Sequence, residues 1–443
     1  MKFARQFFFV MAMVLSLAGC ATDYGSMGLP WMSGNTGVVT KDPESLPDIG
    51  WQTNNQRQSL IRQNEMFFEE QRQMPERPGL QTILGGAPEV PEPKKVAVAL
   101  LLPLTGKNAD LGQSMLKAAQ MALFDIGSAS FELVPKDTKS TKEGAVAAAQ
   151  SAVAGHSDLI LGPIFAEDLK AIKPVTDAAG TPVVSFTTDW TQAGGNTYVM
   201  GFLPFAQVAR VSRYAQFQGI GRFAVYAPQT EYCDVVISTL QRTGAHIVKV
   251  DRYSSLQTDL SELIDDFVET SKPDGAGKSD PPGFDALVLP VGGESLKSLV
   301  SLFRLHGVGG DNVRLIGTGL WDDPALAQDP DLYGAWFAAP DPVSRADFER
   351  RYSDNYGGTP PRLASLAYDA TALAAVLART GYGTRNPYSR DRITNPRGFA
   401  GVDGIFRFRP DGMAERGLAV LEIQSGRARV IDPAPTAFIA SGS

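Results

Sequence analysis

Val96-Ala97-Val98-Ala99-Leu100-Leu101-Leu102, followed by Pro103-Leu104-Thr105-Gly106, decides how this chain folds. An unbroken apolar run without polar alternation is what a strand needs when both of its faces are covered. Pro103 to Gly106 breaks the run, and a helical pattern follows through Leu111, Met115, Ala119, Met121 and Ala122. The cycle then recurs. Phe131 to Asp137 reads as a strand ending in an acid, Thr141 to Ala154 as an alanine-rich helix, and Leu159 to Leu161 as a strand ending at Gly162-Pro163. Asp168 to Ala179 reads as a helix and Pro182 to Phe186 as a strand. Strands interleaved with helices predict a parallel sheet with right-handed crossovers.

A second alternating set begins near residue 200. Helices are expected at 206–217, 235–243, 260–268 and 295–303, with strands at 223–226, 247–253, 286–289 and 314–317. Lys272 to Pro282, rich in Gly, Pro, Asp and Lys, reads as a surface insertion. The expected architecture is an α/β fold of two Rossmann-like lobes with parallel sheets, facing across a cleft and joined by a hinge. The expected boundaries are 94–200 for the N-lobe, 201–338 for the C-lobe and 339–400 for a return to the N-lobe. A closing segment at 401–430 and a tail at 431–443 complete the chain.

Upstream of this unit the composition differs. Lys2 and Arg5 precede an apolar run, Phe7 to Leu17, of roughly eleven residues, the length of a signal-peptide core and too short to span a bilayer. It closes on Leu17-Ala18-Gly19-Cys20, which resembles the lipobox of bacterial lipoproteins. That resemblance implies a signal peptide over 1–19 and lipid on Cys20, the membrane contact of the mature chain. Ala21, where sorted lipoproteins retained in the inner membrane carry Asp, implies the outer membrane, facing the periplasm. Residues 20–93 read as a flexible tether with a proline-rich spacer, Gly85 to Pro93, able to reach roughly 240 Å if fully extended. A helix over 54–74, with Leu60, Ile61, Phe67 and Phe68 on one face, either docks on the main domain or a partner, or frays within the tether. The chain has two cysteines, so with Cys20 lipidated Cys233 has no disulfide partner. A net charge of −7 argues against a nucleic-acid surface.

Within the main unit, Leu101-Leu102-Pro103-Leu104-Thr105-Gly106 with Gly112 and Ala118 to Leu123, and Leu161-Gly162-Pro163, carry a family resemblance. Ala367-Tyr368-Asp369-Ala370 and Gly401-Val402-Asp403-Gly404-Ile405-Phe406-Arg407-Phe408 with Asp411-Gly412 extend it. Together they resemble type I periplasmic binding proteins of the leucine/isoleucine/valine-binding class, over about residues 95 to 425. With the lipobox and tether, the chain is most similar to the binding-protein-like domain of penicillin-binding-protein activators. Members of that family carry a large helical-repeat domain before this one, where here only the 21–93 segment stands.

In amino-acid-binding members, hydroxyls and backbone amides of two N-lobe loops hold the ligand carboxylate, a task suited to helix N-termini. The matching loops are Gly162 to Asp168 and Ser185 to Asp189. The second keeps hydroxyls, whereas the first offers Ala166, Glu167 and Asp168, and two carboxylates repel a carboxylate ligand. The same two acids also stabilise the first turn of a helix. Expected cleft-lining residues are Leu104, Thr105, Ile164, Phe165, Thr187, Thr188, Tyr226, Gly292, Gly293 and Trp321. No cofactor, metal or catalytic residue is expected. Ser114-Met115-Leu116-Lys117 and Ser353-Asp354-Asn355 match two motifs of penicillin-binding enzymes, but no Lys-Thr-Gly completes the set. His156, His246 and His306 stand apart, without metal-ligand spacing. Two functions follow. The first is an outer-membrane lipoprotein that binds and activates a bifunctional penicillin-binding protein. The second is a solute receptor for an amino acid or related metabolite, serving an ABC importer.

Overall fold

The opening run becomes β1 (Val96–Leu102), with Val98 to Leu102 inaccessible to solvent. A computed structural model describes residues 95–127, 131–254, 256–257, 259–277, 280–381, 383–384 and 386–438. Cys20, the signal segment, the tether and the expected 54–74 helix lie outside the described residues.

After β1 come α1 (Ala109–Ile126), β2 (Phe131–Asp137), α2 (Lys142–Ala154), β3 (Leu159–Leu161), α3 (Ala166–Ala179), β4 (Val183–Ser185) and β5 (Thr197–Val199). The strands form a parallel sheet ordered β2-β1-β3-β4-β5. Val98, Leu100 and Leu102 pack into one core cluster, and Ala99 and Leu101 into another on the opposite face. That two-sided burial is why the run has no polar alternation. β5 escaped the sequence reading because three residues behind Gly194-Gly195-Asn196 carry too little pattern.

The chain then crosses to a second lobe. It holds α4 (Pro204–Phe217), β6 (Phe223–Pro228), α5 (Glu231–Arg242), β7 (Ile247–Tyr253), α6 (Ser261–Glu269) and β8 (Ala286–Val288). α7 (Gly293–Leu305), β9 (Arg314–Ile316) and β10 (Trp336–Ala339) follow. A second crossover returns the chain to α8 (Pro342–Tyr356) and α9 (Ala364–Thr380), whose alanines pack beside Met115 and Ala119 of α1. β11 (Phe399–Gly401), β12 (Gly404–Phe408) and β13 (Ala414–Arg416) form a small antiparallel sheet, with Phe399, Phe406 and Phe408 in the N-lobe core.

The closing segment is not one unit. A third crossover follows β13, and β14 (Ala419–Gln424) and β15 (Arg427–Asp432) join the C-lobe sheet, ordered β15-β14-β10-β9-β8-β6-β7. β14 runs antiparallel to β10, the pairing that buries Leu418 to Leu421. The expected tail accordingly begins inside β15.

Candidate functional site

In open parallel sheets a crevice opens outside the strand carboxyl ends, where neighbouring strands send their connections in opposite directions. The orders β2-β1-β3 and β7-β6-β8 place one such point in each lobe. The loops leaving β1, β3, β6 and β8 are therefore the walls of the candidate site.

Asp137, the last residue of β2, organises the N-lobe wall. Its Oδ1 accepts from the backbone N–H of Leu104 (2.9 Å), Thr105 (3.1 Å) and Lys139 (2.7 Å), and its Oδ2 from Thr105 Oγ1 (2.6 Å). Burial works to raise its pKa, but these bonds hold the carboxyl below the usual carboxylate range. After β3, Gly162 sits at φ +91°, and a Cβ there would stand 2.3 Å from the Leu101 carbonyl oxygen. Pro163 O accepts from Phe186 N (3.0 Å) and Ser185 Oγ (2.8 Å), which ties the β3 loop to the β4 loop. Phe165 precedes α3 and supplies no side-chain cap. Glu167 turns to Lys142 at 2.6 Å, while Asp168 is buried and its pKa is raised, chiefly by that burial. Only one of the two acids noted in the sequence is therefore without a cation partner at salt-bridge distance.

The C-lobe wall is more closed in on itself. Thr230 caps α5 through Cys233 N–H at 3.3 Å. Tyr232 Oη donates to Thr318 Oγ1 at 2.8 Å, and burial pushes its pKa up to about 12. Gly292 opens α7 without a side-chain cap. The Trp321 ring lies over Gly317, where a Cβ would fall 2.0 Å from Cδ2, and its Nε1 donates to Val291 O at 2.8 Å. Gly319 N–H donates to Gln207 Oε1 at 2.8 Å.

A family model for periplasmic binding proteins matches residues 95–428. The chain belongs to the periplasmic binding protein family. Membership implies a periplasmic or extracellular location. Solved structures with the same fold include a candidate branched-chain amino acid ABC transporter protein from Rhodospirillum rubrum. It shares 19% identity at a TM-score of 0.66, over 76% of this chain and 100% of that one. The branched-chain amino acid substrate-binding protein LivJ of Streptococcus pneumoniae, in complex with isoleucine, shares 20% identity at a TM-score of 0.53, over 77% and 100%. A solute-binding protein from Rhodopseudomonas palustris, in complex with 3,4-dihydroxybenzoic acid, shares 16% at 0.54, over 77% and 96%. A curated relative, an uncharacterized protein of Rickettsia prowazekii, is 23% identical over 150 residues, a match spanning 40% of that protein's length. These likenesses establish the type I periplasmic-binding-protein fold with two parallel-sheet lobes.

On this periplasmic binding protein the expected cleft residues divide. Leu104 and Thr105 lie after β1, Ile164 and Phe165 after β3, Thr187 and Thr188 after β4, and Gly292 and Gly293 after β8. Thr105 and Thr188 are exposed and Leu104 and Phe165 half-buried, but Ile164 and Thr187 are buried. Tyr226 and Trp321 do not line the cleft surface: each is 1% exposed. Tyr226 stacks on Tyr253 at 5.1 Å inside the C-lobe core, because its position on β6 points to the face covered by α6 and α7. Trp321 is drawn inward by the space above Gly317 rather than standing at the rim. Ser114 Oγ bonds back to Asp110 O within α1, and Ser353 Oγ to Gly358 O beyond α8. Among the described residues, no group of three or more His, Cys, Asp and Glu could hold a metal ion.

Sequence reasoning missed Asp137, Tyr232 and Thr318 as organisers of the walls. A strand ending in an acid was a usable signal for Asp137. Nothing local marked Tyr232 and Thr318, which stand 86 residues apart.

Proposed function

We propose that this protein is a solute-binding receptor whose lobes close around an amino acid or a related small metabolite and present it to an ABC importer. One observation carries the reading. Among the helices that begin at the two switch points, Thr230 caps α5, whereas α3 in the N-lobe and α7 in the C-lobe start without a side-chain cap. Their first-turn N–H groups are thus left for an anionic or polar ligand group, with Thr105 and Thr188 hydroxyls and the apolar Leu104 and Phe165 in the N-lobe wall. Binding without chemistry is part of this reading. The test is calorimetry and thermal unfolding against amino acids and small aliphatic and aromatic carboxylates. Saturable binding with a raised Tm supports it; silence across the panel overturns it.

A second reading is favoured by the state of the wall hydroxyls. Thr105 Oγ1 already donates to Asp137, Ser185 Oγ to Pro163 O, and Tyr232 Oη to Thr318. Under this reading the domain, held at the outer membrane through lipid on Cys20 and the 20–93 tether, docks on a bifunctional penicillin-binding protein and activates peptidoglycan synthesis. A pull-down from detergent-solubilised membranes separates the two: a penicillin-binding protein supports the second, an importer permease the first.

A further inference from the structure

An ionic network joins the lobes where their crossovers meet. Asp322 follows the short turn after β9, on the C-lobe side. Its Oδ2 accepts from Arg345 Nη1 at 2.7 Å and lies 3.4 Å from Arg362 Nε. Both arginines belong to the N-lobe side. Arg345 is on α8, which is held to α1 by the Arg351–Asp125 pair and by Tyr352 Oη donating to Ser114 O at 3.3 Å. Arg362 just precedes α9.

From Arg362 the network runs inward. Its Nη1 lies 3.0 Å from Oδ1 of Asp403, a fully buried carboxylate, and its guanidinium sits 4.0 Å from the centre of the Phe202 ring. Arg416 stands 4.9 Å from that same ring, donates to Met200 O at 3.1 Å and lies 3.9 Å from Asp369 Oδ2. Met200 and Phe202 are on the first crossover, Arg345 follows the second, and Arg416 leads into the third. All three connections between the lobes are therefore tied into one set of charges.

We propose that Asp322 and its two arginines are an interlobe latch that sets the balance between lobe arrangements of this protein. The Asp322, Arg345 and Arg362 side chains keep only 13%, 14% and 28% of their surface exposed. Such pairs are screened far less than surface pairs, and removing Asp322 leaves Arg345 paired with Glu349 at 2.8 Å and Arg362 with Asp403 at 3.0 Å, both on the N-lobe side. Without the Asp322 carboxylate the C-lobe loses its ionic tie to two guanidinium groups of the N-lobe side, and the lobes part. The latch rests on the two-lobe fold and is independent of what the cleft or surface binds.

The test is the interlobe distance distribution of the full chain. Fluorophores are placed through unnatural amino acids at the exposed Lys170 on α3 and Gln229 after β6, with and without Asp322→Asn. The expected result is a shift of several ångströms to longer distance. Arg345→Gln, which leaves Asp322 paired with Arg362, gives a smaller shift in the same direction and stands in if Asp322→Asn fails to fold. Arg350→Gln, an exposed pair confined to α8, leaves the distribution unchanged. A purely stabilising bridge would lower Tm and leave the distances as in wild type, and that result overturns the latch.

Discussion

Tyr226 keeps a hydroxyl that burial leaves without a hydrogen-bond partner, in a ring cluster with Tyr253, Phe267 and Phe303. Burial accordingly pushes its pKa up to about 12. An unpaired buried polar group costs about 1–3 kcal/mol, whereas the ring keeps its apolar burial when the oxygen is removed. Tyr226→Phe is therefore expected to stabilise the protein by about 1 kcal/mol, read as a higher urea midpoint at unchanged slope. A lower midpoint would mean that the hydroxyl is satisfied and the cluster is polar there. The sequence placed this tyrosine in the cleft because it sits near the carboxyl end of a strand. Which face of β6 it occupied depended on the helices packed there, and no local signal reports that.

Among elements, the junction of β1, β2 and α2 depends on a single side chain. Asp137 holds the loop after β1 and the turn before α2 through four hydrogen bonds. Charge-assisted bonds of this kind exceed neutral ones, and Asp137→Ala is expected to cost about 2 kcal/mol in chemical denaturation. The pH dependence has a definite sign. Because its pKa is held below the unfolded value, its stabilisation is complete above the unfolded carboxylate range and lost as pH falls through the folded value. Asp137→Asn should thus flatten the acid limb of the Tm–pH curve and leave the neutral limb parallel to wild type. A matching steep acid limb in the variant would assign that limb to other groups. The helices and strands themselves were legible, since a two-sided apolar run and an alanine-rich periodicity are local patterns. β5 and β10, three and four residues long, were not, nor were β14 and β15, all of them set by pairing with their neighbours.

For the whole molecule, the decisive feature is the charge buried on the N-lobe side of the interlobe network. Asp369, Asp403 and Arg416 are all essentially inaccessible. Burial first, and then the Asp403 charge, push the Asp369 carboxyl well above the usual carboxylate range. Asp403 goes the other way, because Arg362 and Arg416 outweigh the burial that would raise it. A raised carboxyl binds protons more tightly when folded, so its contribution to stability declines as pH rises from the unfolded value toward the folded one. Asp369→Asn keeps an acceptor for Val402 N–H, now at 2.7 Å, and removes the charge. Its Tm relative to wild type should therefore rise between pH 5 and pH 8, by about 2–4 °C for each kcal/mol recovered. A difference that stays constant with pH would show that Asp369 ionises normally in this setting.

By itself the sequence determined that the chain forms two parallel α/β lobes, since continuous apolar strands, alanine-rich helices and glycine turns report burial through local pattern alone. It also located the loops after β1, β3, β4 and β8, because strand ends are marked by Pro103, Gly162 and Gly292. Only the tertiary structure decided what those loops leave available. Whether Thr105 is free, whether Trp321 stands at the rim or fills the space over Gly317, and which lobe receives the last two strands all depend on residues distant in sequence. The interlobe network is the clearest case: Asp322, Arg362 and Arg416 acquire their meaning only where three crossovers bring them within bonding distance, and separation along the chain leaves no periodicity to read.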